Sequence, residues 1–368
     1  MFFTDPKEMN KIRGTVYNRP PVTFDPILSY RWNPGIRVVR VAQGEIVFDS
    51  SPKINNEGFH CSYDYHREKR ERTFRFIVLG DSFTNDLAVD EAWPETVQHL
   101  LRSRPEHATG IEIYGMPTDG GGLPNWYSTL KEYLLPHFEF DGLLIADWGD
   151  DLARQWVVSH SNEESMFWDR VDIKERPGSL EEVESNLGNM PKLCEVKTDS
   201  EIDQLVSQLK QHANPKSQTP DECEGNVELA PEDFEFSPAQ FTERYSPDRF
   251  DMLSEMVELC REHSKVMVYS PLPTRSEVLH LIQNPAIPLF RQSQGEGLCR
   301  HFGIHYFDGC SVFNHINPRT LIDLYWLKYD GHWSKAASLQ YALALAEWMT
   351  GLMPFACGCA GRAVFLHR

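Results

Sequence analysis

The sequence has no long apolar run and no excess of basic residues. No stretch of about 18 consecutive apolar residues occurs, and the N-terminus, MFFTDPKEMNKIRG, lacks the basic start and apolar stretch of a secretory signal. With 36 Lys and Arg against 54 Asp and Glu, the formal net charge is −18. An acidic surface of this kind would repel phosphate groups. We therefore expect a cytoplasmic protein that neither inserts into a membrane nor binds nucleic acid.

Recognisable metal, disulfide and phosphate-binding motifs are also missing. The 8 cysteines are scattered without a CxxC pair, which indicates reduced thiols. Cys357 and Cys359 offer only two ligands, too few for a closed metal site. The histidines lack HExxH spacing, and the glycine run at 120–122 is not followed by lysine. We expect no metal and no cofactor.

What the chain does contain is a repeated pattern of strands and helices. Apolar residues make up 41% of the sequence, enough for a large core. From residue 74 onward, helical stretches separate the apolar runs FRFIVLG, IEIYG, DGLLIAD, KVMVYSP and GIHYFD. Short unalternated runs suit strands covered on both faces, and intervening helices favour parallel pairing. The pattern predicts an α/β domain with a mainly parallel sheet over residues 71–350.

Three segments do not follow this pattern. Residues 1–70 are rich in Pro, Asn and Arg and contain short strand-like runs, which predicts an irregular N-terminal lead-in packed on the main domain. Residues 160–247 are polar and acidic, typical of an insertion with helices near 179–187 and 199–212 and a partly disordered loop. Such an insertion could form a lid or a partner surface. Residues 351–368 are interpreted as a C-terminal tail.

A candidate nucleophile follows the first apolar run. Ser82 lies in Gly80-Asp81-Ser82-Phe83, directly after FRFIVL. The carboxyl ends of parallel strands form the ligand-binding edge of open α/β sheets, so a serine hydroxyl there could attack a bound substrate. In the alternative interpretation, Asp81 and Ser82 only cap a turn.

A candidate acid and base pair lies near the end of the chain. Asp330 and His332 are two residues apart, so in an extended loop both side chains would point the same way. A carboxylate and an imidazole could then converge on one pocket. The same Asp-Gly-His segment could equally be a turn that starts a helix.

Taken together, these motifs resemble the SGNH/GDSL hydrolase superfamily over most of residues 54–350. The lead-in INNEGFHCSYDY, the block GDSFTNDLAVDEAWPETVQHLL and the last block DGHWS carry the resemblance. The Asp-x-His spacing followed by Trp333 is most similar to the branch related to alginate O-acetylation proteins. The resemblance implies a flavodoxin-like three-layer α/β/α sandwich. It also implies that Ser82 attacks an ester carbonyl, His332 accepts its proton and Asp330 orients the imidazole.

The family's oxyanion hole is only partly matched. Members use the N–H of the nucleophilic serine, a glycine from the second block and an asparagine from the third. The third block here, LLIADWGDDLARQ, puts Asp150 at the asparagine position with Asp151 beside it. The glycine aligns with Gly115 or Gly120, or else with Pro117, which has no N–H. An ionised carboxylate cannot donate a hydrogen bond, so an ionised Asp150 facing the oxyanion is expected to slow catalysis. Two other arrangements would avoid this penalty: a dry pocket could hold Asp150 protonated, or Asp150 could turn away while backbone N–H groups serve instead.

Other residues near these blocks allow two interpretations each. Trp148 and Trp333 either line a sugar- or acyl-binding pocket or pack in the core. Several carboxylates at the strand ends could hold Mg²⁺, although the triad already occupies that edge. These are Asp81, Asp147, Asp150 and Asp151.

The function expected from these features is hydrolysis of a carboxylic ester carried by a small molecule or glycan, such as an O-acetyl or other short acyl group. Transfer of the acyl group to a sugar hydroxyl is one alternative. A non-catalytic SGNH-like binding domain is another, suggested by Asp150 and Pro117. The sequence leaves the oligomeric state open.

Overall fold

The computed structural model describes residues 13–104, 110–149, 151–212, 227–231 and 234–352. Asp150, Cys357 and Cys359 lie outside the described residues, as do most of the predicted tail and the segment 213–226. Among the described residues, no helix is both long and apolar enough to cross a membrane.

The strands are numbered in chain order: β1 Arg13–Tyr17, β2 Val22–Asp25, β3 Ser29–Trp32, β4 Val38–Ala42, β5 Glu45–Ser50, β6 Phe74–Leu79, β7 Ile111–Gly115, β8 Gly142–Trp148, β9 Trp156–Ser161, β10 Ser165–Val171, β11 Lys192–Val196, β12 Val266–Leu272 and β13 His305–Tyr306. The α-helices are α1 Ser82–Asn85, α2 Trp93–Arg102, α3 Leu123–Ser128, α4 Leu135–His137, α5 Leu180–Asn186, α6 Asp199–His212, α7 Pro238–Tyr245, α8 Pro247–Glu262, α9 Arg275–Gln283, α10 Phe290–Phe302, α11 Pro318–Thr320 and α12 Lys335–Leu352. A π-helical segment, Thr129–Leu134, joins α3 to α4, and another, Leu321–Tyr325, follows α11.

The central sheet has 5 strands in the order β13-β12-β8-β6-β7, and every pairing is parallel. Counted along the chain within this sheet, the order is 2-1-3-4-5, which is the flavodoxin-like arrangement. The predicted α/β class with a parallel sheet is confirmed. The apolar runs predicted these strands because both faces of the sheet are covered.

Strand β6 shows this double coverage directly. Ile77 and Leu79 belong to a core packed against α3, α8 and α10, whereas Phe76 and Val78 belong to a second core packed against α2, α9 and α12. Since successive side chains of a strand point to opposite faces, the sheet lies between two helical layers. All four side chains are at most 1% exposed, which explains why the run is apolar without alternation.

A second sheet is built from strands of the N-terminal lead-in and strands in or just before the acidic insertion, two segments that the sequence analysis treated separately. It has 6 strands in the order β5-β4-β1-β11-β10-β9. Strands β1, β4 and β5 come from the predicted lead-in, and β9, β10 and β11 lie in or just before the acidic insertion. The parallel pairing of Val16 with Glu195 joins the two halves. We refer to these strands as the six-stranded sheet.

Two helices of the acidic segment, α5 and α6, lie where the sequence predicted them. Helix α6 packs Ile202, Leu205 and Leu209 against Val39 and Val41 of β4. One face of the six-stranded sheet is therefore covered by a helix from the polar insertion. The hairpin β2-β3 packs on the opposite face of this sheet, where the Val22 N–H donates to Ser161 Oγ at 3.0 Å.

Candidate active site

Ser82 lies at the carboxyl edge of the central sheet, between β6 and β8. This is the position where the strand order reverses, the usual ligand crevice of open α/β sheets. Gly80 makes the turn possible because a Cβ there would lie 2.1 Å from Thr84 Oγ1. The Asp81 side chain caps α1 by accepting the Phe83 N–H at 2.9 Å. Because α1 begins at Ser82, the Ser82 N–H has no acceptor within its own helix.

Ser82, His332 and Asp330 form a continuous chain of hydrogen bonds. Ser82 Oγ lies 2.8 Å from His332 Nε2, and His332 Nδ1 lies 2.5 Å from Asp330 Oδ1. The backbone N–H of His332 also donates to Asp330 Oδ1 at 3.0 Å. Asp330-Gly331-His332 is therefore a tight turn, as the alternative interpretation held, and the same turn carries both side chains to the serine.

The charges of this chain suit proton transfer from serine to histidine. Burial would raise the pKa of Asp330, but the hydrogen bonds and charge of His332 and the charge of Arg40 outweigh it and hold the pKa well below its usual range. Burial would likewise lower the pKa of His332, but the Asp330 hydrogen bond and the charges of Asp330, Asp81 and Asp119 raise it. Asp330 is therefore a stable anion, and the imidazole is a stronger base than usual.

An aromatic stack supports the imidazole from beneath. The Phe83 ring stacks on His332 with centroids 4.7 Å apart and on Trp148 with centroids 4.4 Å apart. Trp148 is half-buried and lies at the end of β8. Trp333 is only 1% exposed and meets Phe83 edge-on from within the core. Trp148 therefore remains a candidate pocket residue, whereas the pocket interpretation of Trp333 is wrong because the ring packs in the core.

Arg154 neutralises the carboxylates behind the serine. Its Nη1 lies 3.2 Å from Asp81 Oδ2 and 2.6 Å from Asp151 Oδ1. Asp151 is fully buried, and its Oδ2 accepts the Trp148 N–H at 2.9 Å. Neither side chain is free to contact an oxyanion: Asp81 caps a helix, and Asp151 holds the end of β8.

The Mg²⁺ interpretation does not suit the described carboxylates. Asp81 and Asp151 share the arginine cation just described, and Asp147 lies 3.5 Å from Arg291 and accepts a hydrogen bond from the Tyr269 hydroxyl at 2.5 Å. Each of these three carboxylates thus already has an arginine as its cationic partner.

The structure separates the three candidate oxyanion positions of the second block. Gly115 is the buried last residue of β7, where its carbonyl accepts the Tyr65 hydroxyl at 2.9 Å and a Cβ would meet Pro94. Gly115 is thus part of the sheet and not of the site, which corrects that assignment. Pro117 is buried in the chain between β7 and Gly120, and has no N–H to donate.

Gly120 is the glycine whose N–H remains available. The neighbouring N–H groups are engaged: Thr118 donates to Gly80 O at 2.9 Å, Asp119 to the Tyr30 hydroxyl at 2.6 Å and Gly121 to Thr118 O at 2.9 Å. The Gly120 N–H makes no hydrogen bond to any described residue. Its φ of +72° is a conformation that favours glycine. Asp150, the predicted third element, lies outside the described residues.

Asp119, which the sequence analysis did not single out, directly precedes Gly120 in the chain. Its Oδ1 is buried and has no hydrogen-bond partner among the described residues. Burial and then the charge of Asp81 raise the pKa of Asp119 to about 7, although Asn85 and His332 act against them. Its charge therefore changes near neutral pH, close to His332.

Arg40, like Arg154, is a residue of the site that the sequence analysis missed. It belongs to β4 of the six-stranded sheet, and its Nε lies 3.1 Å from Asp330 Oδ2. The local sequence IRVVRVA gives no signal for this contact, because an arginine on a strand is an ordinary surface residue.

The chain matches no known family model and no curated protein sequence. Among solved structures, it is similar to a lipase/acylhydrolase from Enterococcus faecalis, with a TM-score of 0.39 and 12% identity over 77% of this chain and 98% of that chain. A likeness of that size carries no argument about function, which has to rest on the geometry of the site.

Proposed function

We propose that this protein is a serine ester hydrolase with Ser82 as its nucleophile. The observation that carries the proposal is the unbroken hydrogen-bond chain from Ser82 Oγ through His332 to Asp330, at 2.8 and 2.5 Å. A serine hydroxyl is a weak nucleophile at its ordinary pKa and needs an adjacent base, and the base in turn needs an orienting group. All three roles are filled at the ligand-binding edge of the sheet.

The reaction proceeds through an acyl-serine intermediate. Ser82 Oγ attacks the ester carbonyl carbon while His332 Nε2 accepts the hydroxyl proton, and Asp330 stabilises the resulting imidazolium. The carbonyl oxygen becomes an oxyanion that the N–H groups of Ser82 and Gly120 can bind. Collapse breaks the ester C–O bond, and His332 returns its proton to the leaving alcohol. A water molecule, activated by His332, then releases the acid and regenerates Ser82.

The electrostatics favour an uncharged acyl group on a small molecule or glycan. Asp81 and Asp119 act electrostatically on His332, and only Asp81 has an arginine partner among the described contacts. A carboxylate or phosphate close to the scissile bond would be repelled by these groups. The half-buried ring of Trp148 offers an apolar surface for the acyl chain or a sugar face.

Solvent access favours hydrolysis over acyl transfer. The His332 side chain is 38% exposed, so water can reach the base that activates the second nucleophile. Transfer to a sugar hydroxyl would require water to be excluded from the acyl-enzyme. Water is therefore the acyl acceptor in this proposal.

A screen of p-nitrophenyl esters and acetylated sugars tests the proposal. Ser82→Ala should lower kcat by at least about 10³-fold on the best substrate and leave the melting temperature nearly unchanged, because the half-buried hydroxyl contributes little to packing. Ser159→Ala is the matched control: this serine in β9 donates to Phe167 O at 3.0 Å, away from the site. Equal turnover by wild type and Ser82→Ala would rule out Ser82 as nucleophile, and so would an equal loss in the control.

A further inference from the structure

The triad aspartate is held from two sides that belong to different sheets. Asp330 Oδ1 accepts hydrogen bonds from the backbone N–H and from Nδ1–H of His332, and Asp330 Oδ2 accepts one from Arg40 Nε–H at 3.1 Å. Arg40 lies 290 residues earlier in the chain, in strand β4. Asp330 is nearly buried, with a side chain 7% exposed, and the Arg40 side chain is 24% exposed.

We propose that Arg40 is a positioning residue that fixes the Asp330 carboxylate for His332, so that the six-stranded sheet is part of the catalytic centre. This inference rests on the proposed function. A carboxylate bound through one oxygen can still rotate about its Cβ–Cγ bond. One bound through both oxygens keeps Oδ1 directed at the imidazole.

The six-stranded sheet also holds the Arg40 side chain in a defined orientation. Arg40 Nη1 donates to Thr15 Oγ1 at 2.8 Å, and Thr15 is the direct cross-strand partner of Arg40 in the antiparallel β1-β4 pair. The guanidinium group is therefore oriented by a side chain on the same face of the same sheet. Arg40 is thus held by a strand and by its cross-strand neighbour, and a strand holds a side chain more precisely than a loop can.

A second ion pair joins the same loop to the same sheet and provides a matched control. Lys328 Nζ lies 2.8 Å from Glu45 Oε2 in β5, and the Lys328 side chain is 51% exposed. Glu45→Gln removes the charge attraction of this link at Lys328, two residues from Asp330, without touching the triad. If Arg40 only docks the loop onto the sheet, the Glu45 and Arg40 variants should have similar effects. If Arg40 orients Asp330, only the Arg40 variants should affect catalysis.

The experiment compares Arg40→Met, Arg40→Lys and Glu45→Gln in ester turnover and in the rate at which a fluorophosphonate probe modifies Ser82. Methionine keeps much of the side-chain volume but removes the donor. Arg40→Met should lower kcat and the labelling rate by about 10- to 100-fold, the loss that a small misplacement of catalytic groups produces, with KM within about twofold of wild type. Arg40→Lys should recover part of the loss because an ammonium group can still reach Oδ2, and Glu45→Gln should match wild type.

Two results would overturn the inference: wild-type kcat and labelling in Arg40→Met, or an equal loss of both in Glu45→Gln. A Tm decrease in Arg40→Met without a kcat loss would likewise show a purely structural role. Failure of the wild-type protein to react with the probe at Ser82 would instead count against the proposed function itself, so the two failures can be told apart.

Discussion

Replacing Asp330 by Asn should reveal how strictly the triad depends on a carboxylate. In the structure, three N–H donors converge on this side chain: His332 Nδ1 at 2.5 Å and the His332 backbone at 3.0 Å on Oδ1, and Arg40 Nε at 3.1 Å on Oδ2. An asparagine amide has one oxygen acceptor and one NH₂ donor. Whichever way it is turned, its NH₂ must face at least one of the three donors.

The size of the effect follows from the two possible orientations. With the amide oxygen toward His332, the NH₂ opposes Arg40 and the negative charge that stabilises the imidazolium is lost. With the NH₂ toward His332, the imidazole is held in the wrong tautomer. A triad aspartate changed to asparagine in this way typically lowers kcat by about 10⁴-fold, which corresponds to about 5 kcal/mol of transition-state stabilisation. We expect a loss of that order near neutral pH.

The assay is kcat from initial rates on the best p-nitrophenyl ester, with the concentration of folded enzyme checked by circular dichroism. Asp308→Asn is a suitable control: this aspartate accepts hydrogen bonds from Gln292 and Ser311 outside the site, so its loss should affect stability and not kcat. A kcat for Asp330→Asn within about tenfold of wild type would refute the reasoning, because the carboxylate would then not be needed to orient or charge the base.

Three further outcomes are expected. Since the pKa of His332 is raised above 6.5 and the neutral imidazole is the base, kcat/KM should fall as pH decreases, with a midpoint above 6.5; a midpoint below 6.5 would contradict the assigned charges. Burial raises the pKa of Asp86 to about 7 from 3.8, so ionisation destabilises the folded state as pH rises between those values. Asp86→Asn, which can still accept the Ser338 hydroxyl, should therefore gain unfolding free energy relative to wild type from pH 5 to pH 8 in urea titrations, by an amount on the order of a few kcal/mol; a constant difference would show that Asp86 does not titrate in this range. Gly120→Ala should lower kcat because φ is +72° and the N–H must shift, whereas Gly303→Ala, at φ +61° at the end of α10, should lower only Tm; equal kcat values for the two variants would exclude Gly120 from the oxyanion hole.

The central sheet could be predicted because its signal is local. Four of its strands, β6, β7, β8 and β12, are short apolar runs, such as FRFIVL, that are buried by helices which the sequence also indicates. The six-stranded sheet could not be predicted in the same way. Strand β10, SMFWDRV, mixes buried and exposed positions without alternation, and it is stabilised by pairing with β9 and β11 in a sheet that also contains three strands from residues 13–50. Tertiary context of that kind overrides local propensity.

In the candidate site, too, the features with a local signal could be predicted, and those that depend on tertiary packing could not. The position of Ser82 after a buried strand and the two-residue spacing of Asp330 and His332 are local features, and the structure brings these three side chains together. The contact of Arg40 with Asp330 depends on how two sheets pack, which no local pattern encodes. The sequence left both interpretations of Trp333 open for a related reason: its ring lies in the core packed against α12, and only tertiary packing decides that.

Identification of the modified residue after treatment with a fluorophosphonate probe tests the central claim most directly. Phosphonylation requires a serine activated by a neighbouring base, so the intact mass of the wild-type protein should increase by one adduct, and peptide mapping should place the adduct on Ser82. The adduct should be absent in Ser82→Ala and form much more slowly in His332→Ala, while Ser159→Ala should react like wild type. A folded wild-type protein that takes up no probe, or an adduct that persists in Ser82→Ala, would contradict the assignment of this site as a serine hydrolase centre.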